Sequence, residues 1–134
     1  MSEPSARAVL AAVSFGGALG AGARYAVLLA WPVPAAGFPW AVFGINVLGS
    51  GLIGVLMARA EEGGLPPLVR PFLGVGVLGG FTSFSTYAMD LGGLLEHGEL
   101  LTAAAYALGT LAGALGAVAA AAALTRRVRR GRTA

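Results

Sequence analysis

The third apolar stretch of the chain carries the side chains whose types and spacing could do chemistry. In "GVLGGFTSFSTYAMD", residues 76–90, a glycine pair precedes five hydroxyl side chains and one phenylalanine within six positions. Residues of these types lower helix propensity over eight successive positions, which predicts a break inside a helix. Backbone carbonyls released by a break inside a membrane must be buried in protein, hydrated or bound to an ion. Oxygen ligands of this kind suit a hard cation such as sodium.

Two aromatic side chains follow the predicted break. Phe84 and Tyr87 are three residues apart, so they project from one face of the second half-helix. An aromatic pair usually serves packing. Beside a break, however, its positive ring edges could face an anion.

Polar residues also interrupt the other apolar stretches. Asn46 must find a partner, which is by default an interhelical hydrogen bond, or it lines a wet path and offers N–H donors to an anion. Thr102, Tyr106 and Thr110 recur every four residues and form one polar stripe, although threonine can also bond its own backbone. Arg24 either snorkels to the interface or attracts anions. The stripe combined with Asn46 suggests a track of hydrogen-bond donors.

Four apolar blocks must position these residues. The chain has 134 residues, of which 57% are hydrophobic and 11% charged, too few charges to cover a soluble surface. Each block is long enough to cross a hydrocarbon core of roughly 30 Å; the blocks are residues 8–30, 41–58, 71–89 and 100–124. The sequence predicts a single all-α integral membrane domain over residues 1–134, with a basic tail at 125–134. A cleaved signal peptide is the alternative for the first block.

The arginines predict the orientation in the membrane. The N-terminus, the 59–70 loop and the tail share one side, and they hold eight of the nine basic residues; the other side has only Arg24, within a helix. This bias predicts a multi-pass protein of the cell membrane with both termini in the cytoplasm. In a membrane context the basic tail indicates topology or contact with anionic lipid, and no nucleic-acid partner is expected.

Several kinds of chemistry are absent from the sequence. There is no cysteine, which excludes a disulfide framework and a thiolate nucleophile or ligand. There is no HExxH, no paired carboxylate within a block, no Ser-His-Asp candidate and no phosphate-binding glycine loop. His97 lies between Glu96 and Glu99 in a predicted solvated loop. We therefore expect the chain not to be an enzyme.

Glycines recur at helical spacing in the predicted helices. Gly16 and Gly20, Gly76 and Gly80, and Gly109 and Gly113 are each four residues apart. Such small residues let helix backbones approach closely in a membrane. Four thin helices enclose little space, however, so a pore or transport site would require a second copy.

The motifs of the four blocks resemble one known family. The string "GGFTSFSTY", with "GARY" in the first block, "GINVLGSG" in the second and "YALGT" in the fourth, is similar to the CrcB/Fluc family of fluoride channels. The resemblance implies an antiparallel dimer with two pores, which carries fluoride passively out of the cell and so lowers fluoride toxicity. It also implies a structural sodium ion at the dimer centre that is not transported.

The resemblance assigns roles to individual residues. The carbonyls of Gly79 and Thr82 would bind the sodium, and Arg24 would lie in a vestibule. The fluoride pore would be lined by residues of the second, third and fourth blocks: Asn46, Phe84, Tyr87, Tyr106 and Thr110. The chain departs from the family pattern at Tyr87, where phenylalanine is typical, and at Ala114, which leaves the polar stripe without a further hydroxyl.

The arginine bias conflicts with the implied antiparallel dimer. A chain that pairs with itself must insert both ways, which requires nearly balanced flanking charge. The partner is then either a second copy in dual topology or a homologous chain of opposite bias, and the sequence favours one fixed orientation. Two other functions stay open: a small secondary transporter similar to four-helix multidrug exporters, and a non-conducting structural membrane subunit.

Overall fold

Residues 3–132 fold into helices joined by short loops, with no strand within that range, in the computed structural model. The helices are α1 (Ala6–Ala30), α2 (Trp40–Ala60), α3 (residues 70–81), α4 (Phe84–Glu96) and α5 (Leu100–Arg132). α3 and α4 together form one span, so the described chain has four helices long and apolar enough to cross a membrane. The predicted fold, four spans with the third one broken, is confirmed.

Local sequence explains where the helices begin and end. Ser5 caps α1 by accepting a hydrogen bond from the Ala8 amide at 3.3 Å. The proline-containing loop that follows α1 turns at Gly37, whose φ of 98° favours glycine. Gly98 turns the short α4–α5 connection in the same way, with a φ of 73°. The amide of Gly37 donates to the carboxylate of Glu99 at 3.1 Å, so these two loops lie together at one end of the molecule.

Two helices continue beyond the apolar blocks of the sequence. The third span runs to Glu96, seven residues past Met89, and so includes Asp90. α5 continues through the basic tail to Arg132, and its 33 residues make it about 50 Å long. Because that length exceeds a hydrocarbon core of roughly 30 Å, the arginine-rich end of α5 projects from the membrane.

α1 packs against α3 through a glycine seam, defined here as Gly16, Gly20, Gly76 and Gly80. A Cβ added at Gly76 would lie 2.9 Å from the Cα of Gly16, and one added at Gly20 would collide with the carbonyl oxygen of Val77. The two backbones therefore touch directly, as small residues allow in membrane helices. α3 begins with a π-helical segment, Arg70–Leu78, and this segment and the following turn form the α3 face of the seam.

α2 packs along α5, and α4 closes one end of this pair. Their shared core contains Val42 of α2, Tyr87 of α4 and Tyr106 of α5, all nearly or fully buried. At the opposite end, Arg126 of α5 forms an ion pair with Glu61 at 2.9 Å, and a second ion pair joins the next turn of α5 to the same loop. Many other large apolar side chains are exposed on the protomer surface, as expected for a surface that contacts lipid.

Candidate functional site

The third span breaks where the sequence predicts it. Thr82 and Ser83 have extended backbone conformations, with ψ angles of 151° and 113°, between the α-helical turn Gly79–Phe81 and α4. The side chain of Ser83 caps α4 by accepting a hydrogen bond from the Thr86 amide at 3.1 Å. The third span as a whole bends by only 15°, so its two halves still form one element long enough to cross the membrane.

Asn46 of α2 holds the break in place. Its Oδ1 accepts from the Ser83 amide at 2.9 Å, and its Nδ2 donates to the Ser83 carbonyl at 3.2 Å. The carboxamide thus pairs with both backbone groups of one extended residue, and both partners are buried. Since Nδ2 carries two hydrogens, one N–H is left for another acceptor.

The break releases several backbone carbonyls, and those of Gly79 and Thr82 are among them. In a continuous helix the Gly79 carbonyl would accept from the Ser83 amide, and the Thr82 carbonyl from the Thr86 amide. The Ser83 amide donates instead to Asn46, and the Thr86 amide to the Ser83 hydroxyl. Gly79 and Thr82, the two predicted sodium ligands, therefore both lose their ordinary helical partners. Two freed carbonyl oxygens suit a hard cation, so these residues fit a sodium ion.

A cleft of about 240 Å³ lies beside the break, between α2, α4 and α5. It is open on one side. Its walls carry hydroxyl, amide, aromatic and aliphatic groups, and no charged side chain is among its lining residues: Asn46, Ser50, Ile53, Thr82, Ser83, Phe84, Tyr87, Thr110, Leu111 and Ala114. The wall of the cleft is largely apolar, with a few hydrogen-bond donors at mid-membrane and no full charge.

Two residues of the cleft have a group that is either unpaired or largely exposed. Thr110 is 5% exposed, and its hydroxyl is the one buried side-chain polar atom of residues 3–132 without a hydrogen bond. An unpaired buried hydroxyl is costly, which indicates a ligand or water in the cleft. Phe84 is 78% exposed although it lies in the middle of a span. Its ring edge is available to an ion or to a second chain.

A family model matches residues 11–122, a range that reaches all four spans; its description is "CrcB-like protein, Camphor Resistance (CrcB)". The chain belongs to the CrcB family. The resemblance inferred from the motifs is thereby confirmed.

Curated CrcB relatives have closely similar sequences. Fluoride-specific ion channel FluC 1 of Streptomyces coelicolor is 53% identical over 123 residues, covering 90% of this chain and 79% of that protein. Fluoride-specific ion channel FluC 2 of Nocardia farcinica is 49% identical over 112 residues, with coverage of 83% and 80%. Fluoride-specific ion channel FluC 2 of Thermobifida fusca is 53% identical over 121 residues, 87% of each chain.

The hydroxyls of two predicted pore residues in this CrcB chain point away from the cleft. Tyr106 is fully buried and donates to Asp90 at 3.1 Å, so it lies behind the cleft wall. Tyr87 contributes to the wall, but its hydroxyl donates to the carbonyl of Ala107 at 3.1 Å. The hydroxyl that distinguishes Tyr87 from phenylalanine is thus bound within the protomer.

Arg24, the predicted vestibule residue, is tied to the break through a chain of hydrogen bonds. Its Nη1 donates to Oγ1 of Thr86 at 3.3 Å, and that oxygen lies 2.8 Å from the hydroxyl of Ser83. Ser83 in turn pairs with Asn46. The guanidinium is half-buried outside the cleft wall, so a positive charge lies near the cleft without lining it.

Sequence reasoning missed three residues of this region. Ser83 serves as the pivot of the break, and only the tertiary contact with Asn46 reveals that role. Ser50 lines the cleft one turn after Asn46, a spacing that the sequence offered as a signal. Asp90 directly follows the third predicted block, which ends at residue 89, but the helix continues six residues beyond it; Asp90 is half-buried and accepts from Tyr106.

Proposed function

We propose that this chain is a fluoride-specific ion channel that lets fluoride leave the cytoplasm passively and so lowers fluoride toxicity. The observation that carries the proposal is the uncharged cleft at mid-membrane, whose wall includes a few hydrogen-bond donors, among them the unpaired hydroxyl of Thr110. Three relatives about half identical to the chain are named as fluoride-specific ion channels. The proposal assigns the chain no catalysed reaction.

The chemistry of the cleft suits a small, strongly hydrated anion. Fluoride gives up water only where other hydrogens replace it, and the cleft offers the second N–H of Asn46, the hydroxyl of Thr110 and the ring edge of Phe84. Conduction also requires that the ion leave again. A full positive charge on the wall would hold fluoride too tightly, and Arg24 is held just outside it by Thr86.

The cleft is open on one side, and a second protomer is needed to cover it. A single chain exposes Phe84 and one flank of the polar wall to lipid, where donors without partners are costly. In the proposed antiparallel dimer, a partner chain covers this flank and completes two pores. The carbonyls of Gly79 and Thr82 would then meet those of the partner and hold a structural sodium ion, whose role is assembly and not transport.

The arginine distribution supports one fixed orientation. Eight arginines flank one side of the membrane, which favours both termini in the cytoplasm and a homologous partner of opposite bias over a second copy of this chain. Reporter fusions at the C-terminus of the chain expressed alone test this point. Equal signals from the two sides of the membrane would contradict the fixed orientation and support dual topology.

Fluoride efflux from liposomes tests the channel. The tagged protein is purified from its host membrane, so that any partner chain is retained, and reconstituted with internal potassium fluoride. With valinomycin to carry potassium, a channel releases fluoride rapidly without a proton gradient, whereas a structural subunit releases none. Efflux that requires a proton gradient would overturn the passive channel.

Asp90 supports one competing function. Secondary transporters couple to protons through an embedded carboxylate, and Asp90 is half-buried within the third span. Asp90→Asn keeps an oxygen for the Tyr106 hydroxyl but cannot take up a proton. A channel retains passive fluoride efflux in this variant, and a proton-coupled transporter loses gradient-driven transport.

A further inference from the structure

Ser50 has a hydroxyl group that the structure leaves available. It lies in α2, one turn after Asn46, and lines the same cleft as Thr110 and Ala114. Serine in a helix often donates to the carbonyl four residues earlier, as Thr125 does to Ala121 at 2.7 Å. Within residues 3–132 the Ser50 hydroxyl forms no such bond, so its donor faces the half-buried space of the cleft.

The packing of α2 on α5 gives the height of Ser50 in the membrane. A Cβ added at Gly113 would lie 3.0 Å from Cγ2 of Val47, and one added at Gly51 would lie 3.8 Å from the Cβ of Ala117. In both contacts the α5 residue is 66 positions later than the α2 residue. The two helices therefore run side by side in the same direction, and Ser50 is level with residue 116 of α5.

Ser50 lies beyond Thr110, the last residue of α5 that offers a side-chain donor to the cleft. Residue 116 is about 9 Å further along the helix axis than Thr110 and about 3 Å further than Ala114. Beyond Thr110, α5 contributes to the cleft only Leu111 and Ala114, which have no side-chain donor. A distance of about 9 Å is three times the length of a hydrogen bond, so an anion leaving Thr110 towards the arginine-rich end would find no donor on α5.

We propose that Ser50 is a further anion-binding residue of this channel, whose hydroxyl replaces the donor that α5 lacks at Ala114. The proposal rests on the proposed function. By the same register Asn46 is level with residue 112, so along the cleft the donors follow in the order Thr110 on α5, Asn46 on α2 and Ser50 on α2. The steps along the helix axis are about 3 Å from Thr110 to Asn46 and about 6 Å from Asn46 to Ser50, and conduction through several weak sites requires such a succession of donors.

Fluoride efflux from liposomes that contain Ser50→Ala tests this role. The loss of one hydrogen bond to an ion in transit is expected to lower the flux by about tenfold. The double variant Ser50→Ala/Ala114→Ser restores a hydroxyl at nearly the same height from the other helix, so the flux is expected to recover. The matched control is Ser14→Ala, because Ser14 is exposed on α1 and should leave the flux unchanged.

The outcomes separate this role from the channel itself. If wild-type liposomes release no fluoride, the proposed function fails, and the role of Ser50 fails with it. If wild-type conducts and Ser50→Ala conducts equally, only the role of Ser50 is overturned. A further outcome is a flux that falls in Ser50→Ala and stays low in the double variant, while both variants elute as wild-type does in size-exclusion chromatography. This result would overturn the proposal that the Ser50 hydroxyl takes the place of a donor at position 114.

Discussion

The glycine seam and the cleft are both built from small or polar residues at mid-membrane, yet they differ in what they leave open. At the seam, backbone meets backbone, and even a methyl group at Gly20 would collide with the Val77 carbonyl. In the cleft, the Thr110 hydroxyl is buried without a partner and Phe84 is exposed. In the glycine seam, small residues let two helix backbones touch. In the cleft, a space remains between the helices.

This difference separates stability from function within one small domain. The seam joins α1 to α3 and thereby fixes the first half of the broken span. The cleft borders the second half and holds donors that nothing in the described chain satisfies. Substitutions in the seam should therefore abolish the folded protein, whereas loss of the groups that face into the cleft should change transport and leave folding intact.

The largest effect is expected at the seam. Gly20→Val places a branched side chain against the backbone of α3, so the two helices must separate, at a cost of about 3 kcal/mol or more. We expect little monodisperse protein after extraction in detergent. Gly22→Ala is the control on the same helix, since a Cβ there meets nothing within 4 Å. A Gly20→Val protein that elutes and melts as wild-type would show that the seam is not tightly packed.

Phe84→Ile should stop fluoride flux while the protein remains folded. The change removes the ring edge from the cleft and leaves an apolar side chain at a position that is 78% exposed in the protomer. Fluoride efflux from liposomes measures the flux, and size-exclusion chromatography the assembly. The matched control is Phe15→Ile on α1, which lies outside the cleft and should conduct normally. Unchanged flux in Phe84→Ile would show that the Phe84 ring does not line the pore.

Thr110→Val should separate transport from stability most clearly. Valine has nearly the shape of threonine, so the packing is kept while an unpaired buried hydroxyl is lost. Flux should fall by about tenfold, and the melting temperature should stay the same or rise. Thr125→Val is the control, because that hydroxyl bonds its own helix. A lower melting temperature with normal flux would contradict the assignment of Thr110 to the anion path.

Tyr87→Phe should have the smallest effect, and it should affect stability alone. The Tyr87 hydroxyl donates to the Ala107 carbonyl, so its removal costs about 1 kcal/mol while the ring edge stays in place. Thermal unfolding in detergent and fluoride efflux provide the two measurements. Tyr25→Phe, at an exposed position of α1, should change neither quantity. A loss of flux in Tyr87→Phe would show that the hydroxyl itself contacts the ion.

The sequence predicted the broken third span because propensity and spacing are local properties. The run from Gly79 to Tyr87 disfavours a helix whatever surrounds it. The direction of a side chain is not local, and the two tyrosines show this. The four-residue spacing placed Tyr106 in line with Thr110, but the Tyr106 hydroxyl turns to Asp90 and lies behind the wall. A periodic pattern predicts which residues share one face of a helix, but it does not predict the hydrogen-bond partner of each side chain.

The sequence by itself determined the class of this protein: four apolar spans, a break within residues 79–86 and a motif set typical of one family. Only the tertiary structure decided which groups the break releases, because the Ser83 amide turns to Asn46 from a helix 37 residues earlier in the chain. It also decided which donors stay unpaired, since α2 and α5 meet in one register that places Ser50 beyond Thr110. Propensity depends on neighbours in the chain, whereas hydrogen bonding in a membrane depends on neighbours in space.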